Sequence, residues 1–233
     1  MSLIDSELTA HGIFPDRRQR DRLNHFVEML ESWNRRINLT GARNRATLMR
    51  RHILDCLMLE TVERPSAFNR WADLGSGAGL PAFPIAIMHP EYSVVSVEKV
   101  GKKATFQQFA ARSLGLENLI VHKGNAALLA NGMRLNPEFD VVVARAFAKL
   151  PLLMEFGAKL LRPGGQLWAM KGKRWREEFS EVSPRLLERF APGPQTHSYL
   201  LEKNAPPGWI LVWTRRPDAQ AGEKNRLQRE TAD

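Results

Sequence analysis

The run Trp71-Ala72-Asp73-Leu74-Gly75-Ser76-Gly77-Ala78-Gly79-Leu80-Pro81 constrains the fold more tightly than any other part of this 233-residue chain. Apolar residues run into three alternating glycines, and Pro81 then marks the start of a helical stretch. Glycines in such a turn tolerate backbone angles that side chains resist, and they let a ligand approach the main chain. The helix that follows supplies a positive N-terminal end. A strand, a glycine turn and a helix in this order form a βα unit, the building block of a mainly parallel sheet. The spacing Gly-x-Gly-x-Gly differs from the Gly-x-Gly-x-x-Gly of dinucleotide-binding domains.

The rest of the chain repeats that unit. Strands are expected at Arg70 to Leu74, Ser93 to Val97, Leu119 to His122, Asp140 to Ala144 and Gln166 to Met170, with helices between them. Leu161-Arg162-Pro163-Gly164-Gly165 reads as the turn into the fifth strand. Two last strands, Thr196 to Leu201 and Trp209 to Thr214, are separated by Asn204, Pro206, Pro207 and Gly208 with no helix, so they are expected to form an antiparallel hairpin. A dinucleotide-binding sheet normally closes with another parallel strand. An antiparallel strand inserted at the end of the sheet is instead the habit of class I S-adenosylmethionine-dependent methyltransferases. The expected fold is therefore α/β: a Rossmann-like, mostly parallel seven-stranded sheet with a terminal antiparallel hairpin and an N-terminal helical extension.

That extension is residues 1–64. From Asp16, the apolar residues Leu23, Phe26, Val27, Leu30, Trp33 and Ile37 follow a helical stripe, and a second helix is expected from Ala46 to Val62 before Pro65 and Ser66 break the pattern. The methyltransferase domain spans 65–215, and 216–233 reads as a mobile, charged tail. Charge is concentrated in the extension. Arg17, Arg18, Arg20, Arg22, Arg35, Arg36, Arg43, Arg45, Arg50 and Arg51 are set against Asp16, Asp21, Glu28 and Glu31, within a net charge of +9. Lys171, Lys173, Arg174 and Arg176 form a second cluster. Such asymmetry suits a polyanionic partner, because each neutralised phosphate releases a counterion.

Other classes are set aside by composition. Cys56 is the sole cysteine, so neither an internal disulfide nor a multi-cysteine zinc site can form. Acidic Asp5 and Glu7 lie where a secretory signal would carry basic charge, and no apolar run approaches the ~20 residues that span a bilayer. A cytoplasmic protein that does not engage membranes is expected.

Candidate site residues follow from the expected strand ends, where ligands bind in sheets of this kind. Gly75 and Gly77 form the turn after the first strand, and Glu98 closes the second, where a carboxylate can accept both hydroxyl hydrogens of a ribose. The loop Asn125-Ala126-Ala127 is placed to offer backbone contacts to an adenine. Arg145 and Phe147 follow the fourth strand, the first suited to a carboxylate or phosphate and the second to stacking on a base. No Asn-Pro-Pro-Tyr of amino-group methyltransferases and no Pro-Cys pair of pyrimidine C5 methyltransferases occurs there. His52 and Asp55 fall on one helical face and are read as structural residues of a helix packed over the cleft.

These residues resemble the bacterial small-subunit rRNA guanine-N7 methyltransferases, the glucose-inhibited division protein B family. The resemblance is carried by Trp33-Asn34 with Asn38-Leu39-Thr40, Arg51-His52-Ile53-Leu54-Asp55, the glycine motif with Leu80-Pro81, Gly101-Lys102-Lys103, Leu116-Glu117-Asn118, Arg145-Ala146-Phe147-Ala148 and Lys171-Gly172, across roughly Ile13 to Lys173. It implies S-adenosyl-L-methionine as cofactor, held by Gly75, Leu80, Ala126, Ala127 and Arg145, to which the reading above adds Gly77 and Glu98. The substrate it implies is a guanine of 16S rRNA, in RNA or in the small ribosomal subunit, methylated at N7 by a monomeric enzyme. The chain departs from the family pattern at Ala82, Asn125 and Ala127, where a glycine, an arginine and an acidic residue are usual.

Guanine N7 has an in-plane lone pair and no proton. Its methylation needs alignment and charge stabilisation rather than a base. No catalytic residue and no metal ligand are therefore assigned, and Arg145 is the candidate for the electrostatics of the cleft. Two alternatives are a non-catalytic RNA-binding ribosome assembly factor on the same fold and a nicotinamide-dependent oxidoreductase, the latter disfavoured by the glycine spacing and the terminal hairpin.

Overall fold

The computed structural model describes residues 3–42, 44–127 and 138–217. Arg43 and most of the expected tail 216–233 lie outside the described residues. Seven strands form one sheet: β1 (Arg70–Leu74), β2 (Ser93–Glu98), β3 (Leu119–Lys123), β4 (Phe139–Arg145), β5 (Leu161–Lys171), β6 (Gln195–Tyr199) and β7 (Gly208–Thr214). Their order is β3-β2-β1-β4-β5-β7-β6. Strands β1 to β5 pair in parallel, and β7 lies antiparallel between β5 and β6. The expected terminal hairpin is thus present, with its second strand inserted into the sheet.

Residues alternate between two cores, as the two-residue period of a strand requires. Trp71, Val141, Val143, Trp168, Met170, Ile210 and Val212 join one apolar cluster, while Ala72, Leu74, Val142, Ala144, Leu167, Ala169, Leu211 and Trp213 join the other. Because helices cover both faces, the central strands read as nearly continuous apolar runs.

The N-terminal helices belong to the first face. They are α1 (Leu3–Ala10), α2 (Arg17–Asn34), α3 (Arg45–Leu48) and α4 (Asp55–Leu57), and they pack with α5 (Ala82–Met88) and α6 (Gly101–Leu114). Helix α2 starts on a capping box in which Asp16 and Gln19 satisfy one another's backbone amides. Its buried stripe includes Phe26, whose ring stacks on Phe83 at 4.5 Å and 3°. At its end, the Asn34 side chain accepts from the amides of Leu39 and Thr40 and donates to the carbonyl of Ala42. This bracket explains the Trp33-Asn34 and Asn38-Leu39-Thr40 signature as a structural turn. The opposite face is covered by α7 (Leu150–Leu160), α8 (Trp175–Ser180) and α9 (Pro184–Leu187).

Two elements differ from expectation. The helix expected from Ala46 to Val62 is segmented into α3, a π-helical segment (Met49–Leu54), α4 and a 3₁₀ turn (Met58–Thr61). The Asp55 amide bonds to the carbonyl of His52, and the Arg51 carbonyl accepts from Arg145 Nη2 at 2.7 Å. A distant guanidinium thus reaches a carbonyl within the π-helical segment. The second difference is β5, which begins at Leu161 and includes the glycines expected to form a turn. There the pairing with β4 shifts register, and a Cβ on Gly165 would lie 2.9 Å from the Phe139 carbonyl oxygen. The close approach of β4 requires glycine there.

Candidate cofactor and acceptor clefts

The turn after β1 places Gly75, Gly77 and Gly79 at φ of 71°, 59° and 86°. All lie in the left-handed region, where a side chain is strained, so the alternating glycines are a conformational requirement. The turn meets Glu98 at the end of β2. Glu98 is only 5% exposed, yet its two carboxylate oxygens accept from separate backbone amides: Oε2 from Gly77 and Oε1 from Val100, each at 2.7 Å. Both oxygens keep further acceptor capacity.

A cavity of about 420 Å³ opens over these groups. It brings together Gly75, Gly77, Glu98, Ala126 and Ala127, five of the seven residues expected to hold the cofactor. Asn125, Lys103 and Phe147 also line it. The other two expected residues are elsewhere. Leu80 is 4% exposed and belongs to the apolar core beneath the turn. Arg145 lines a second cavity, of about 660 Å³, with Asp55, Lys171, Tyr199 and the loop leading into β7.

The two cavities share one wall, Ala146-Phe147-Ala148. Ala146 has φ of 52°, left-handed for a non-glycine residue, which costs roughly 1 kcal/mol. The turn it creates separates its neighbours: Arg145 goes to the second cavity, whereas the ring of Phe147 packs on the glycine turn. A Cβ on Gly75 would lie 2.3 Å from that ring. Beneath the wall, Lys171 Nζ donates to the carbonyl of Ala148 at 2.6 Å and to Glu178 at 2.7 Å.

Arg145 does meet a carboxylate, as its residue type suggested, but the carboxylate is the chain's own Asp55, at 2.6 Å from Nε. Asp55 also accepts from the Tyr199 hydroxyl at 2.5 Å, so the helical layer, β4 and β6 meet at one carboxylate. Arg145 Nη2 lies 3.0 Å from His52 Nδ1. A guanidinium can only donate, so Nδ1 accepts and the imidazole proton resides on Nε2. Burial and the adjacent Arg145 charge pull the His52 imidazole down to about 4, and it stays neutral near pH 7. His52 and Asp55 thus act through Arg145. Tyr199 was missed by sequence reasoning because nothing in β6 signals a partner far away in the N-terminal layer.

Asp73 lies in β1, within the glycine motif. It is fully buried; Oδ2 accepts from the amide of Ala82 at 3.0 Å, and Oδ1 is buried with no hydrogen-bond partner among the described residues. Burial pushes its carboxyl up to about 7.

The basic residues divide spatially. Arg22 reaches the carbonyl of Gly115 at the end of α6, whereas Trp33 packs on Phe106 and Phe109 in the middle of that helix. Helix α2 therefore runs antiparallel to α6. Arg35 and Arg36 follow at the end of α2 nearer the start of α6, and Arg17 to Arg22 lie at the opposite end. In the second basic cluster, Lys171 is engaged internally, Arg174 pairs with Glu177 at 2.7 Å, and Arg176 covers the ring of Trp175 at 4.4 Å. That cluster presents fewer free cations than its composition suggests.

A family model described as rRNA small subunit methyltransferase G (GidB) matches residues 19–188. A protein of that name from Roseiflexus castenholzii is 38% identical over 172 residues, covering 73% of this chain and 72% of the relative. Another, from Aromatoleum aromaticum, is 35% identical over 214 residues, covering 86% and 98%. Among solved structures, Aeropyrum pernix fibrillarin with natively bound S-adenosyl-L-methionine superposes with a TM-score of 0.53 at 15% identity, covering 70% of this chain and 75% of that one. Methanococcus jannaschii fibrillarin, a pre-rRNA processing protein, gives 0.54 at 17% identity, covering 73% and 77%. These two show the fold, the class I methyltransferase sheet.

Proposed function

Because the chain belongs to the rRNA small subunit methyltransferase G family, we infer that it is an S-adenosylmethionine-dependent enzyme that methylates N7 of a guanine in 16S rRNA. The observation that carries this reading to the chain's own residues is the shared wall: a cavity suited to a nucleoside adjoins a second one across Ala146-Phe147-Ala148. Donor and acceptor can meet at such a wall.

The first cavity fits the cofactor. At about 420 Å³ it lies in the range of small-molecule sites, and its buried Glu98 is an oriented double acceptor facing a glycine turn. We assign Gly75, Gly77, Glu98, Ala126 and Ala127 to cofactor binding, with Leu80 supporting the turn from the core. Bound S-adenosylmethionine supplies a sulfonium methyl group for in-line displacement. Glu98 orients the ribose hydroxyls, and the wall residues Ala146 to Ala148 set the separation between the two sites. Arg145, held by Asp55 and His52, defines the second cavity, where the acceptor guanine is placed. Neutral His52 adds no positive charge next to a base that becomes cationic, and no group is required to remove a proton from N7. Alignment of this kind can supply ~7–11 kcal/mol of the barrier reduction.

The cation-rich residues 1–64 act as the RNA-facing cap, with Arg35, Arg36 and Arg51 on the cleft side. The enzyme is proposed to act as a monomer on RNA or on the small subunit. Among the described residues no helix is long and apolar enough to cross a membrane. The test is nucleoside analysis of 16S rRNA from cells with and without the protein, combined with transfer of labelled methyl groups to small subunits from the deficient cells. Loss of 7-methylguanosine and its restoration in vitro are expected. Loss of a different methylated nucleoside would refute the chemistry, and RNA binding without labelled product would favour the assembly-factor alternative.

A further inference from the structure

Behind the glycine turn lies a ring of buried polar groups whose side chains line neither cavity. Ser76 is 2% exposed, and Ser96 and Gln107 are fully buried. Gln107, in the middle of α6, donates from Nε2 to the carbonyl of Gly77 at 2.9 Å. Its Oε1 accepts a short hydrogen bond from the Ser96 hydroxyl, and the Ser96 oxygen lies 2.6 Å from Ser76 Oγ. The amide fixes the direction of the hydrogen bond from Ser96. Oε1 can only accept, so the single hydroxyl hydrogen of Ser96 goes to Gln107, and the Ser76 hydroxyl has two acceptors in reach, the Ser96 oxygen and the carbonyl of Asp73 at 3.2 Å. The ring then closes through the peptide bond joining Ser76 to Gly77.

Gly77 is thereby held on both sides. Its amide donates to Glu98, and its carbonyl accepts from Gln107. A turn with three left-handed glycines has more conformational freedom to lose than any other kind, and a ligand that must order it binds more weakly. We propose that Gln107 is a positioning residue for the cofactor: with Ser96 and Ser76 it locks the glycine turn in its binding conformation before any ligand arrives. The proposal rests on the S-adenosylmethionine reading of the first cavity. It predicts that loss of the clamp weakens cofactor binding without altering the acceptor side.

Calorimetric titration with S-adenosylhomocysteine, alongside thermal unfolding, tests it. Gln107→Leu should raise Kd and the KM for S-adenosylmethionine roughly 10-fold, the effect of losing one hydrogen bond, while kcat at saturation and the KM for RNA stay unchanged. The same variant sets the buried Ser96 hydroxyl against a leucine side chain, with Ser76 its remaining partner, and should melt earlier. Ser96→Ala/Gln107→Leu removes that polar group from the apolar contact, so Tm should recover in part while Kd remains raised. A purely structural role would make Kd follow Tm, and that result overturns the proposal. Should Gln107→Leu fail to fold, Ser96→Ala alone frees the Gln107 amide from its partner, and its Kd should rise about threefold. Wild-type binding combined with a Kd within twofold of wild type in the folded variants refutes the clamp alone. A folded wild-type chain that binds neither S-adenosylmethionine nor S-adenosylhomocysteine refutes the cofactor reading together with it.

Discussion

The two cavities are built from different materials. The first is made of local backbone: a glycine turn, the end of the next strand, and a loop that begins one strand later. Its carboxylate, Glu98, is oriented by main-chain amides of Gly77 and Val100. The second is made of side chains that meet from afar: Arg145 on β4, Asp55 in the helical layer, and Tyr199 on β6. A site built from backbone depends on which residues permit the turn. A site built from side chains depends on every partner reaching the same point, so it fails through any one of them.

The largest effect should fall on the first cavity. Gly75→Val places a β-branched side chain at a left-handed position where even a Cβ would lie 2.3 Å from the Phe147 ring. S-adenosylhomocysteine binding should drop by about 100-fold or more, since the turn and the shared wall must both move. Retained affinity in calorimetry would show that the turn and the Phe147 ring yield at little cost.

The second cavity is probed by removing its centre. Arg145→Ala leaves Asp55 partly buried without its ion-pair partner and bonded to the Tyr199 hydroxyl, so turnover should fall on the order of 100-fold and stability by about 2–3 kcal/mol, with cofactor affinity little changed. His52→Gln should cost far less than the ~10²- to 10⁴-fold expected of a general base. A collapse of His52→Gln with Arg145→Ala still active would reverse these roles. If Arg145→Ala abolished cofactor binding, the division between the cavities would be wrong.

Opposite pH dependences provide a subtler contrast. Asp73, beneath the first cavity, has its carboxyl raised to about 7 in the folded chain, so its contribution to stability is complete below the unfolded value near 3.8 and is lost as pH rises through about 7. His52, beside the second, is lowered from 6.5 to about 4, so its contribution is complete above 6.5 and is lost as pH falls through about 4. Asp73→Asn should therefore flatten the decline of thermal stability between pH 4 and 7, an effect on the order of a few kcal/mol. His52→Gln should remove the acid-side loss only. Unfolding curves measured across that range decide both, and an unchanged profile in Asp73→Asn would mean that the buried carboxylate is solvated in some other way.

The smallest effect concerns RNA. Replacing Arg35 and Arg36 by alanine should reduce the salt slope of RNA affinity by roughly 1 for each phosphate no longer neutralised, and leave cofactor affinity intact. The same change at Arg17 and Arg18, at the far end of α2, should alter the slope less. Equal slopes at both ends would extend the RNA surface along the whole helix.

Much of this molecule is written locally and could be read from the chain. The glycine turn, Glu98 and the strand-hairpin ending are sequence-local, because positive φ at Gly75, Gly77 and Gly79 and a two-residue alternation leave marks on neighbouring residues. From them came the sheet and five residues of the first cavity. The asymmetry of basic charge was equally legible, although its division between the two ends of α2 was not.

What only the tertiary structure decided is where long side chains end. Arg145 ends on Asp55 and His52 rather than in the first cavity, Lys171 ends on Ala148 and Glu178 rather than in solvent, and Gln107 ends on Gly77 rather than as another polar residue of an amphipathic helix. Strand and turn propensities act over a few residues, so composition and spacing record them. A hydrogen bond between Tyr199 and Asp55 depends instead on how β6 and the helical layer pack around a common core, and no local pattern in either segment encodes the presence of the other.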